Sequence, residues 1–129
     1  MAKKTKSSAK KKSVPKSPEL LTVIVDAMLD KKAEEIVSLD LSDAADAPCD
    51  NFVICHASVG VQVKTIAEHV INKVEEKLSI KAYHKEGLNN LEWVLIDYID
   101  IVVHVFLKPR REFYQIEDLW ADATKTHYN

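Results

Sequence analysis

The spacing of apolar positions along this 129-residue chain changes period several times, and each change predicts an element. Leu20, Ile24, Ala27 and Met28 recur at the interval of one helix face. Ser17 stands before them as an N-cap, Pro18 and Glu19 suit a first turn, and Lys31 and Lys32 suit the negative end of a helix dipole. A helix is therefore predicted over residues 18–33. Ile36 to Leu41 alternates apolar and polar residues, the stretch from Asp43 to Pro48 is rich in turn formers, and Asn51 to His56 is a short apolar run, so two strands joined by a loop follow. From Val61 the helical period returns, with Val63, Ile66, Ala67, Val70, Val74 and Leu78 on one stripe and Ser58 as the expected cap. Strands are predicted at 80–84, 92–97 and 100–107, with a loop from Gly87 to Asn90. Pro109 has no N–H to give a sheet and ends the last strand, after which Phe113, Ile116, Glu117 and Trp120 mark a final helix. The order α-β-β-α-β-β-β-α predicts a single-domain α/β fold, a mixed sheet with helices packed mainly on one face.

Composition sets the scale and splits the chain by charge. With 47% apolar residues in 129, there is material for one core. Seven lysines (3, 4, 6, 10, 11, 12 and 16) precede the first acid, Glu19, which leaves 11 of the 18 basic residues against all 20 acids, a body of −9. Residues 1–16 hold no aromatic and one Val, too little to offset the entropy of ordering, so a disordered Lys-rich tail is expected there, a folded domain over 17–123 and a short C-terminal extension over 124–129. Lys3, Lys4, Lys10, Lys11 and Lys12 are candidate RNA contacts, with a merely solvated tail as the alternative. An acidic body attracts basic proteins, so a partner containing both protein and RNA would suit the two halves. No apolar stretch approaches the roughly 20 residues of a membrane span and no secretory h-region is present, so a cytoplasmic location without a membrane partner is expected. The two cysteines, Cys49 and Cys55, are too few for a disulfide framework and are expected to be reduced, one of them buried in a strand.

The strand pair from Trp93 to Phe106 carries the candidate surface. A two-residue turn at Tyr98 and Ile99 would place Asp97 opposite Asp100, Leu95 opposite Val102, and Trp93 opposite His104. Val94, Ile96, Ile101, Val103 and Val105 then form an aliphatic face suited to lie under helices. On the other face Trp93, Leu95, Val102 and Phe106, fringed by Asp97, Asp100 and His104, have the makeup of a hot spot for a basic partner. Burial of that face by the C-terminal helix, or by a second copy of the chain in a homodimer, is the alternative.

No catalytic set emerges from the remaining residues. His56, His69, His84 and His127 lack ligand spacing, Gly60 and Gly87 belong to no phosphate-cradling loop, and no nucleophile elbow surrounds Ser58. His104, among apolar neighbours, reads as a structural histidine, and Asp97 with Asp100 as solvated acids and not a metal pair. Neither a cofactor nor a metal is expected.

The run from Trp93 through Phe106 (Trp-Val-Leu-Ile-Asp-Tyr-Ile-Asp-Ile-Val-Val-His-Val-Phe), followed by Arg111 to Trp120 (Arg-Glu-Phe-Tyr-Gln-Ile-Glu-Asp-Leu-Trp), closely resembles the signature of the ribosomal silencing factor family, also called Iojap-like proteins. The resemblance extends through Ile66 to Val70 and Asp50 to Cys55 and covers roughly residues 19–122. It implies a fold related to nucleotidyltransferases without their activity. It further implies binding to the large ribosomal subunit, through a ribosomal protein beside an intersubunit bridge, so that the small subunit cannot dock and translation is repressed under nutrient shortage. Carried over by residue, the contact surface is centred on Trp93 and includes Leu95, Asp97, Asp100 and His104, and Tyr98 and Val102 of the same strand pair are further candidate contacts. One departure stands out: Ile99 replaces the Gly that would ease a positive φ in the turn. Two other functions compete with repression: a nucleotidyltransferase-fold enzyme, and a nucleic-acid scaffold working through the basic tail.

Overall fold

The structure, a computed structural model, describes residues 17–129; the tail expected over 1–16, with its five candidate RNA-contacting lysines, lies outside the described residues, as does the Ser17 side chain expected to cap the first helix. Helix α1 (Ser17–Asp30) leads into strand β1 (Glu34–Asp40), and β2 (Asn51–Ala57) is followed by α2 (Gly60–Leu78). Strands β3 (His84–Glu86), β4 (Trp93–Asp97) and β5 (Ile101–Leu107) come next, then the short helices α3 (Lys108–Tyr114) and α4 (Ile116–Leu119), and a last strand β6 (Thr124–His127). Among the described residues six strands form one mixed sheet in the order β3-β4-β5-β2-β1-β6, in which only β2 and β5 run parallel. Their adjacency explains why 51–57 and 101–107 read as continuous apolar runs: they lie at the centre, buried on both faces.

One face of the sheet meets α1 and α2. Val53, Cys55, Val94, Ile96, Val103 and Val105 point into it and pack with Ile24, Met28, Ile66 and Val70, all essentially without solvent contact. The opposite face holds a second cluster of Val37, Leu39, Phe52, Ile54, Val102 and Phe106, covered in part by Ile116 and by Trp120. Helices thus lie mainly, and not solely, on one side.

Several boundaries move from their predicted places, each for a local reason. Helix α1 stops at Asp30 because Lys32 turns left-handed (φ 59°), letting the Ala33 N–H reach back to the Met28 carbonyl and close the helix end. Ser58 does not cap α2; Val59 holds that position with no side-chain hydrogen bond, and the Ser58 hydroxyl faces Glu34 at 3.4 Å. The strand predicted at 80–84 forms at His84–Glu86, where it pairs with β4. The single C-terminal helix is two short ones, broken where Gln115 turns left-handed (φ 45°). Residues 124–127, expected in an extension, add a strand to β1, and the last two residues secure it: Tyr128 Oη bonds Ser38 Oγ at 2.8 Å, and the Asn129 side chain accepts from the Ile36 N–H and donates to the Ala33 carbonyl.

The hairpin register also differs. Trp93 lies opposite Phe106, Leu95 opposite His104, and Asp97 opposite Val102, so the expected pairings of Trp93 with His104, Leu95 with Val102 and Asp97 with Asp100 do not form. The slip is two residues, and because side chains alternate with period two, each stays on its predicted face. The connection tightens at Ile99 (φ 75°), across which the Asp100 N–H bonds the Tyr98 carbonyl at 2.9 Å, while Asp97 Oδ1 accepts the Ile99 N–H at 2.7 Å. A β-branched residue in the left-handed region is strained by about 1–2 kcal/mol, and the exposed Ile99 side chain recovers little through packing. Ile99→Gly should therefore raise stability by about 0.5–1 kcal/mol after the added freedom of the unfolded chain, seen as a higher urea midpoint at unchanged slope.

Candidate partner-binding surface

The second face of β4 is the part of the sheet that α3 and α4 leave uncovered. Trp93, Leu95 and Asp97 emerge there half-buried, and the β3 register adds His84 opposite Asp97 and Glu86 opposite Leu95, both exposed. Gly87 makes this geometry possible: it takes φ 86°, and a Cβ there would lie 2.0 Å from the Trp93 carbonyl oxygen, so the loop into β4 can hug its backbone only with glycine.

Trp93 sits on a built platform. Its ring stacks on Phe106 with centroids 4.9 Å apart, Tyr114 of α3 lies 4.9 Å away on a tilt, and Phe113 meets Tyr114 edge-on at 5.0 Å. The indole N–H donates to His104 Nδ1 at 3.0 Å. An aromatic ridge thus runs from Trp93 through Tyr114 to Phe113, the last 74% exposed, with carboxylates at the other end on Glu86, Asp97 and Asp100.

The structure separates the residues predicted for this surface. Trp93, Leu95 and Asp97 are brought together on it, and Asp100 is exposed at the adjoining turn. Val102 (8% exposed) and His104 (4%) lie on the same face but under it, as its floor. Tyr98 does not belong to the face; it is buried on the α1 and α2 side of the sheet, with its hydroxyl unpartnered and burial raising its pKa well above the usual tyrosine value. Sequence spacing does not reveal His84 and Glu86, because it predicts the strand at 80–84, nor Tyr114, because helical spacing says nothing of where α3 docks.

Beside this surface, α3 and α4 are held down by one guanidinium. Arg111 forks onto Glu117 through Nε and one terminal nitrogen at 3.0 and 3.3 Å; the other terminal nitrogen donates to the Glu35 carbonyl at 2.8 Å and to His56 Nδ1 at 3.0 Å. Burial works to raise the Glu117 pKa, but Arg111 and then Lys125 prevail and hold it below the usual range. The Nε2 of His56 faces Glu34 at 3.4 Å without forming a hydrogen bond. On the same side of the sheet a cavity of about 490 Å³ is bordered by Asp40, Asp43, Asp118 and Asp122 beside Trp120 and Leu119. Burial pushes the thiols of Cys49 and Cys55 up to about 11 and about 12, so neither is a nucleophile near neutral pH. Among the described residues no group of three or more His, Cys, Asp or Glu is arranged to hold a metal ion, and no helix is long and apolar enough to cross a membrane.

Residues 14–129 match the family model described as ribosomal silencing factor during starvation. The chain belongs to the ribosomal silencing factor family. It is 44% identical over 105 residues to the ribosomal silencing factor RsfS of Halalkalibacterium halodurans, covering 81% of this chain and 88% of that protein. Identity to the Bacillus subtilis RsfS is 38% over 104 residues, covering 81% of this chain and 86% of the relative. The crystal structure of a Chromobacterium violaceum protein is similar in fold, with a TM-score of 0.78 and 32% identity over 83% of this chain and 88% of that one. This silencing factor family member therefore shares its fold with that protein.

Two buried histidines predict how its stability responds to acid. Desolvation lowers the His104 pKa from 6.5 to about 4, and desolvation together with the Arg111 charge lowers that of His56. A folded-state pKa below the unfolded value means that the unfolded chain binds the extra protons, so stability is complete above pH 6.5 and falls as pH drops toward 4. For His104 alone the loss is on the order of 3 kcal/mol, and urea titrations across that window should show His104→Leu flattening the decline.

Proposed function

We propose that this protein represses translation by binding the large ribosomal subunit through a basic ribosomal protein at its intersubunit face, where it sterically blocks docking of the small subunit. The observation that carries this reading is Trp93: a large aromatic, half-exposed yet backed by Phe106 and Tyr114 and rimmed by Glu86, Asp97 and Asp100. A rigid aromatic anchor supplies most of the energy of a typical protein interface, because its contact area is gained with little loss of side-chain freedom. The acidic rim suits a positively charged partner, and complementary charge accelerates encounter. Leu95 completes the apolar centre, while Val102 and His104 support it from beneath. Steric exclusion requires no catalytic group, only a complex that outlasts the approach of the small subunit.

A second reading rests on the seven lysines ahead of Glu19, which would let residues 1–16 hold RNA phosphates while the domain serves as scaffold. Sedimentation with large subunits separates the two. Trp93→Ala should weaken binding by about 30-fold or more with the domain still folded, and deletion of residues 1–16 should leave binding and inhibition of subunit joining in place. The opposite pattern would assign recognition to the tail.

Charge steering makes an independent demand. Replacing Asp97 and Asp100 with Lys should reduce affinity more at low ionic strength than at high, mainly through a slower association rate in stopped-flow or surface-binding measurements. A loss that is the same at every salt concentration would remove electrostatic steering from the account.

A further inference from the structure

His104 is placed oddly for a core residue. It lies in a central strand at 4% exposure, with Phe52 edge-on at 4.5 Å and Phe106 stacked at 6.2 Å. The indole N–H of Trp93 can only donate, so Nδ1 is the unprotonated nitrogen and the ring's single proton sits on Nε2. That Nε2 is buried and has no hydrogen-bond partner. An unsatisfied buried donor costs free energy that an aliphatic side chain of similar size would avoid. Folding alone thus gives no reason for imidazole over leucine here. What imidazole supplies is one acceptor, directed at the one polar atom of the exposed tryptophan.

We propose that His104 is a positioning residue of the binding surface: by accepting the indole N–H from below, it fixes the orientation in which Trp93 is presented, and the partner meets Trp93 without touching His104. Phe106 and Tyr114 restrict the tilt of the indole, but stacking contacts allow it to slide or turn over in its own plane. A directional hydrogen bond from the ring edge removes that freedom before the partner arrives. Ordering an anchor in advance lowers the entropy lost on binding, so the effect appears in affinity and not in fold stability. This inference rests on the surface reading above for its consequence, though not for the hydrogen bond itself.

Nuclear magnetic resonance of the free protein tests the bond first. Of the two tryptophan indole N–H signals, that of Trp93 should exchange with solvent about fivefold more slowly in the native protein than in His104→Leu, whose melting temperature should be unchanged or higher. His104→Leu should also bind large subunits about fivefold more weakly, and His104→Asn, which offers Oδ1 near the place of Nδ1, should recover both protection and affinity. Unchanged exchange and affinity in His104→Leu would overturn the proposal. So would a loss of affinity that merely follows a lower melting temperature, or a failure of His104→Asn to recover either property. Without any variant, the ¹⁵N signals of native His104 must show the proton on Nε2; a proton on Nδ1 overturns the proposal outright. If Trp93→Ala binds normally while the Trp93 indole of the native protein is protected, the surface reading fails and the hydrogen bond stands. If Trp93→Ala abolishes binding and His104→Leu does not affect it, the surface stands and His104 has no part in it.

Discussion

The Arg111 fork is the interaction on which the second face of the molecule depends. A guanidinium buried to 8% exposure would be costly alone, yet here it is matched by the Glu117 carboxylate, the Glu35 carbonyl and the neutral Nδ1 of His56. Those partners come from α4, from the irregular start of β1 and from the end of β2, so one side chain on α3 ties the C-terminal helices to two strands. Helices of seven and four residues bury little apolar area and would not dock by propensity or hydrophobic contact alone. The planar fork fixes their orientation as well as their position.

That orientation determines what the sheet presents. With α3 held by Arg111, Tyr114 comes to rest against Trp93, and with α4 in place, Ile116 and Trp120 close over Phe52 and its neighbours. The second face is divided as a result: the β1, β2 and β5 part becomes a core, and the β4 part stays open with its aromatic ridge and acidic end. A sheet covered evenly by helices would have no such surface, and a bare one would expose an aliphatic patch of little specificity. The described residues thus present a rigid face on β4, with Trp93 backed by Phe106 and Tyr114.

Side-chain parity made the surface legible despite errors in pairing. The hairpin slipped by two residues from its expected register, yet Trp93, Leu95 and Asp97 still share a face with Val102, His104 and Phe106. A slip of one would have exchanged core and surface, and the aliphatic run of Val94, Ile96, Val103 and Val105 forbids it. Ile99 shows the same hierarchy from the other side. The turn adopts a backbone that suits glycine, because pairing of the flanking strands outweighs the local strain of one exposed β-branched residue.

Residue periodicity by itself determined the class of fold, the two long helices, the central strands and the face on which Trp93 lies, since these follow from local spacing and from the need to bury apolar side chains. The motif from Trp93 to Trp120 also sufficed to reveal the family. Only the tertiary structure decided which of the face residues are surface and which are floor. It removed Tyr98 to the other side, sank Val102 and His104, added His84, Glu86 and Tyr114, and enlisted residues 124–127 as an edge strand. Each of those outcomes depends on contacts between segments far apart in the chain, Arg111 with Glu35, Asn129 with Ala33, Trp93 with Tyr114. Local sequence carries no record of such distances, because the energy that sets them appears only when the segments meet.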